Sequence, residues 1–84
     1  MKLSPIHTIE SKVKLRNKLA IIVGKNIRIK RKEKGYSMEK LSHFLDSTKQ
    51  SVFKIEKGEY IPSVTTLAII AEALECNICD FMPK

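Results

Sequence analysis

Cys76 and Cys79 are the first side chains in this 84-residue sequence whose type and spacing invite chemistry. A Cys-x-x-Cys pair is half of a tetrahedral zinc set, and between a strand and a helix it can act as a redox couple. No second pair follows and no strand-and-helix setting surrounds it. A structural role is expected, with zinc shared between two copies as the alternative. His43, one of only 2 histidines, has no ligand partner in the sequence and is expected at the surface. No Ser/His/Asp, Cys/His or paired-carboxylate arrangement accompanies a glycine-rich or metal site. The sequence therefore predicts a protein that binds rather than catalyses: not an enzyme, with no cofactor and no metal.

Charge indicates what it would bind. There are 16 Lys and Arg against 9 Asp and Glu, a net charge of +7. The excess is lopsided, since residues 1–40 carry 12 basic and 3 acidic side chains whereas residues 41–84 carry 4 and 6. Such a field attracts polyanions, although surface lysines also serve solubility alone. A membrane fits poorly: the longest apolar run, Leu19-Ala20-Ile21-Ile22-Val23, is far short of a spanning helix, and no signal-peptide core follows Met1. A cytoplasmic protein is expected. The length suits one small domain, and 43% hydrophobic residues without a Trp imply an aliphatic core.

The elements that would position the polar residues are all helical in period. Residues 1–17 read as a basic N-terminal arm or helix extension, and residues 18–84 as the folded domain. The first helix begins either after Ser11 or near Lys18; Leu19, Ile22, Val23 and Ile27 form its stripe, which runs on to Arg31 and ends at Gly35. Ser37 caps a second helix with Met38, Leu41, Phe44 and Leu45 on its apolar face. Thr48 caps a third, which buries Val52 and Ile55 and closes at Gly58. Ser63 caps a fourth with Val64, Leu67, Ala68, Ala71 and Leu74 inward, and Asn77 caps a final turn from Ile78 to Met82.

Between Ser37 and Ile55 the spacing meets the needs of a helix-turn-helix. Ser42 is small where the two helices cross, Asp46 permits a sharp turn, and Leu41, Leu45, Val52 and Ile55 face one another. Such a unit presents its second helix outward, so that a polar face can enter the major groove of B-DNA. Phe53 projects sideways or outward from that helix; contact with a thymine methyl or a sugar would explain it, as would packing against the arm or a neighbouring loop.

From about Val23 to Met82 the chain resembles the phage-repressor and Cro-type helix-turn-helix domains of the XRE family. The resemblance rests on Ile27-Arg28-Ile29-Lys30-Arg31-Lys32-Glu33-Lys34-Gly35-Tyr36-Ser37, Val52-Phe53-Lys54-Ile55-Glu56-Lys57-Gly58, Pro62-Ser63 and Leu67-Ala68-Ile69-Ile70-Ala71-Glu72-Ala73-Leu74. It implies an all-α, five-helix lambda-repressor-like domain. The function it implies is sequence-specific transcription regulation, by family habit repression, as a homodimer on a palindromic operator in double-stranded DNA. Residues 48–57 would be the recognition helix. Lys49 and Gln50, with Lys54 one turn later, would read bases, because Lys can donate to guanine and Gln can pair with adenine. Ser37, Thr48 and Ser51 are the candidate phosphate contacts, and Arg31 and Glu56 the structural salt bridge beneath the recognition helix. The alternatives of the same size and fold are an antitoxin, with a toxin as protein partner, and a restriction–modification controller protein.

Some positions depart from the family pattern. Met38 stands where a phosphate-binding Gln is common, so that anchor is missing or supplied by Ser37 or Lys40. Asp46 replaces a turn Gly, and Ser47 an apolar residue. Outside the resemblance, Lys12, Lys14, Arg16 and Lys18 can reach DNA phosphates, or Pro5, Ile6 and Ile9 can dock on a partner subunit. Tyr60, Ile61, Ile69, Ile78, Phe81 and Met82 exceed what a small core is expected to absorb, and a dimer would cover them.

Overall fold

The first helix begins earlier than either expected start. The computed structural model describes residues 9–84, in which α1 spans Ile9–Lys34, α2 Met38–Phe44, α3 Lys49–Lys57 and α4 Val64–Ala73, followed by a short 3-10 helix, Ile78–Phe81. The arm before Ile9, with Pro5 and Ile6, lies outside the described residues. No Gly or Pro interrupts residues 9–23, three of which are Lys, and Glu10 favours the first turn; α1 continues through Gly24 to span 26 residues. Its length, about 39 Å at about 1.5 Å per residue, accounts for most of the longest molecular dimension of 45 Å.

The all-α plan is present, and no strand occurs among the described residues. The fifth member is a 3-10 turn rather than an α-helix, because Pro83 follows too soon for another turn to form. The Asn77 backbone N–H donates to Asp80 Oδ2 at 3.0 Å at its start. The other ends follow ordinary capping chemistry. Ser37, Thr48 and Ser63 each accept a backbone N–H from the residue three positions on. Gly35 at φ 80° and Gly58 at φ 83° take the left-handed conformation that closes α1 and α3. Asp46, at φ 51°, makes the same turn between α2 and α3.

The core is aliphatic apart from Phe81, and gathers Val23, Ile27, Leu41, Val52, Ile55, Leu67, Ile70, Ala71 and Leu74. Several expected core positions differ. The buried face of α1 is Ala20, Val23, Ile27 and Arg31, with Leu19 and Ile22 only half-buried. The cause is a close crossing of α1 and α3. A Cβ on Gly24 would lie 2.3 Å from the Ile55 carbonyl oxygen, and one on Gly58 would lie 2.7 Å from Ile21 Cα. Neither glycine position has room for a side chain.

In α4, Val64 is 75% exposed, and Ala68 is also exposed. The helix is apolar nearly all round, so periodicity could not single out one face, and Ile70 and Ala73 are buried instead. Phe44 is 48% exposed because Leu41 and Ser42 fill the short α2 contact. Its ring stacks on Tyr36, with 5.8 Å between centroids and 4° between planes. Phe81 is fully buried, and Ile78 and Met82 pack against the core. The core thus absorbs half of the patch expected to need a partner, leaving Tyr60, Ile61 and Ile69 exposed, with Val64 beside them in sequence.

Candidate nucleic-acid interface

Helix α3 divides cleanly. At about 100° per residue, Val52, Ile55 and Glu56 point inward, whereas Lys49, Gln50, Phe53, Lys54 and Lys57 fall within an outward arc of about 140° and are all exposed. Two caps hold the ends. The Ser51 N–H donates to Thr48 Oγ1 at 3.2 Å, and at the C-terminus the Glu59 N–H reaches the Lys54 carbonyl at 3.1 Å.

Beneath this arc Arg31 and Glu56 meet. Arg31 Nε donates to Glu56 Oε2 at 2.6 Å and Nη2 to Oε1 at 3.0 Å, while Nη1 donates to the Tyr36 carbonyl at 2.7 Å. Both side chains are buried. The guanidinium fork thus ties α1, the loop before α2, and α3 into one unit. No side-chain polar atom is left buried and unpartnered among the described residues.

The three hydroxyl residues sit at helix starts. Ser37 Oγ accepts the Lys40 N–H at 3.0 Å, and Thr48 Oγ1 lies 3.2 Å from Ser51 Oγ. Capping uses oxygen lone pairs, so the Ser37 hydroxyl proton remains free for a phosphate oxygen, as does one proton of the Thr48/Ser51 pair. Lys40 lies over the Tyr36 ring at 4.2 Å.

Phe53 is 49% exposed and lines an open groove of about 290 Å³ with Arg28, Met38, Glu56 and Lys57. The Lys57 ammonium lies 5.7 Å from its ring centroid. Met38 packs partly on the core. Position 38 therefore contributes apolar surface to the groove beside Phe53 rather than a polar anchor.

Gly24, which the capping and helix-turn-helix patterns do not single out, permits the α1–α3 approach. Its signal was a glycine inside a helical pattern, four residues from Ala20. The carbonyl of Tyr36, a backbone group, left no trace in the residue types.

The other candidates for chemistry stand apart from α3 in sequence. Cys76 is half-buried and Cys79 exposed, both free thiols. Burial, and next the negative charge of Asp80, pushes the Cys76 thiol above its ordinary value, which keeps it protonated. His43 is exposed. Among the described residues no three His, Cys, Asp or Glu side chains assemble as a metal set, and no helix is long and apolar enough to cross a membrane.

The profile of the helix-turn-helix family matches residues 27–81. An uncharacterized HTH-type transcriptional regulator, YgzD of Bacillus subtilis (strain 168), is 41% identical over 46 residues, covering 55% of this chain and 70% of the relative. A second, from Rickettsia conorii, is 41% identical over 64 residues, covering 76% of this chain but only 51% of its own length. Among solved structures, the restriction-modification controller protein C.AhdI from Aeromonas hydrophila superposes with a TM-score of 0.70 at 24% identity. The match covers 75% of this chain and 91% of that one, and at this identity it speaks for the fold alone.

Proposed function

The chain belongs to the helix-turn-helix family, and from that premise we propose that it is a transcription regulator that binds double-stranded DNA through α3, without catalysis, in the cytoplasm. One observation carries this reading: Lys49, Gln50, Phe53 and Lys54 share the outward arc of a helix whose orientation is fixed by the buried Arg31–Glu56 fork. Lys49, Gln50 and Lys54 read base edges and Phe53 packs on a thymine methyl or sugar, while Ser37, Thr48 and Ser51 hold phosphates.

Repression as a homodimer on a palindromic site is part of the same proposal. Supporting it, the outward face of α4 offers Val64, Thr65, Ala68 and Ile69 with Glu72 as its single charge, a surface suited to a second copy.

Selection of bound sequences from random duplex DNA tests both parts. A palindromic consensus is expected. Replacing Lys49, Gln50 or Lys54 by Ala should each weaken binding to that consensus by about 1–3 kcal/mol and relax specificity at one position. A folded protein that enriches no sequence would overturn the reading, and a non-palindromic consensus would remove the dimer.

A further inference from the structure

Helix α1 contains ten Lys and Arg residues, and they fall into distinct groups. Lys30, Arg31 and Lys34 each meet a carboxylate: Glu33, Glu56 and Glu75 respectively. Lys14, Lys18, Lys25, Arg28 and Lys32 are exposed and form no ion pair among the described residues. With Ile21 they recur at alternating steps of four and three residues, which on a helix is a single stripe.

Two contacts fix where that stripe lies. Arg28 shares the open groove with Phe53, Lys57 and Glu56 of α3, the Glu56 carboxylate being already engaged by Arg31, and Ile21 packs under Gly58 at the end of α3. The stripe therefore runs along the flank of α1 that adjoins the outward face of α3. The C-terminal segment occupies another flank, where Asn26 Nδ2 donates to the Phe81 carbonyl at 3.0 Å. No acidic residue interrupts the stripe between Lys14 and Lys32; Glu10 precedes it, and Glu33 lies off it.

We propose that this stripe is a second DNA-contact surface, which holds the phosphates flanking the groove that α3 enters. It rests on the reading of α3 as the DNA-binding helix. Two features favour nucleic acid as the occupant: uncompensated positive charge in a line, and continuity with the α3 face. From Lys14 to Lys32 the stripe is about 27 Å long, and B-DNA offers about one negative charge per 1.7 Å of axis. It can thus follow about eight base pairs, and its Lys14 end lies beyond the segment of α1 that packs on the core. The N-terminal extension of α1 then serves to lengthen the footprint on DNA.

Lys12 and Arg16 provide the control, because they belong to the same exposed extension but lie about half a turn away from the stripe. The experiment uses the full chain and a mixed-sequence 30-base-pair duplex, with binding followed as a function of salt. Binding by the unaltered protein is the precondition; if it fails, the DNA reading itself has failed. Lys14→Gln/Lys18→Gln and Lys12→Gln/Arg16→Gln remove equal charge and leave the helix exposed and intact, which circular dichroism verifies. The stripe variant is expected to reduce the slope of log K against log salt by about 1.8, at about 0.9 per phosphate contact, and the control to leave it nearly unchanged. Equal reductions in both variants, or none in either, would overturn the proposal. So would a loss of binding that sedimentation traces to dissociation of a dimer, which would assign the stripe to a second copy.

Discussion

Helix α1 is gripped on two flanks by different means. Towards α3 the approach is so close that Gly24 meets backbone carbonyls, and Arg31 is sealed between Glu56 and the Tyr36 carbonyl. Towards the C-terminal half, beside the apolar contact of Val23 and Ile27 with the shared core, the polar hold consists of Asn26 on the Phe81 carbonyl and of Lys34 on Glu75, an ion pair open to solvent. Arg31 and Lys34 are three residues apart in one helix, and both find a carboxylate distant in sequence. Water decides what each pair can do. A buried pair has already lost its hydration, so its geometry is fixed and its disruption is costly, while a solvated pair exchanges readily with water and salt. The flank under α3 is built for precision, and the other only closes the domain.

The largest expected effect tests the sealed pair. Arg31→Met leaves the Glu56 carboxylate buried without a partner and should cost about 3–5 kcal/mol in denaturant unfolding. The double variant Arg31→Met/Glu56→Leu removes both charges and should recover most of that loss, less about 1 kcal/mol for the Tyr36 carbonyl contact. Regained stability without regained DNA binding would identify the pair as an orienting device. A double variant no more stable than the single one would remove burial as the distinguishing feature of this flank.

Gly24→Ala comes next. The added methyl would sit against the Ile55 and Glu56 carbonyls, and α1 and α3 would have to separate. A loss of about 2–3 kcal/mol is expected, although alanine is intrinsically the better helix former by about 1 kcal/mol. A stabilised Gly24→Ala protein would show that the close crossing is dispensable.

These two sites also show what could be seen in the sequence. The helix starts at Ser37, Thr48 and Ser63 and the stops at Gly35 and Gly58 were legible because capping is local: a side chain bonds its own backbone within three or four residues. The exposure of Lys49, Gln50, Phe53 and Lys54 followed from helical period once Val52 and Ile55 were placed inward. The Arg31–Glu56 contact came from family resemblance, since nothing local links residues 25 positions apart. The choice of buried face on α4 was illegible, because Val64, Leu67, Ala68 and Ile70 are all apolar. The start of α1 was missed because Ser11 resembles a cap, yet Ile9 and Glu10 already lie in the helix. Phe81 falls among the apolar residues in excess of a small core because sequence alone does not reveal that its 3-10 turn folds back onto α1.

The other flank of α1 should respond less. Asn26→Ala removes one donor to the Phe81 carbonyl at a partly buried site, with an expected loss of about 1 kcal/mol. Because that bond joins α1 to the 3-10 turn, hydrogen exchange should accelerate at residues 78–82 and remain unchanged in α3. Acceleration throughout the molecule would instead make the C-terminal closure part of the same cooperative unit as the α3 flank.

The smallest effect is that of Lys34–Glu75, and its pH dependence has a definite sign. The hydrogen bond from Lys34, and next its charge, holds the Glu75 carboxyl below its ordinary value of 4.5. The same hydrogen bond raises Lys34 above 10.5. A lowered carboxyl contributes stability that is present above its unfolded pKa and lost as pH falls through the folded value; a raised lysine contributes below its unfolded pKa and loses that contribution as pH rises through the folded one. The stability difference between the unaltered protein and Glu75→Gln should therefore be flat from about pH 5 to about pH 10 and shrink on either side. Exposure should keep the plateau below the Asn26→Ala effect, and about 1 M salt should nearly abolish it, because the screening length then falls to about 3 Å. A difference that survives such salt would mean that Lys34–Glu75 is shielded as Arg31–Glu56 is, and the contrast between the two flanks would fail.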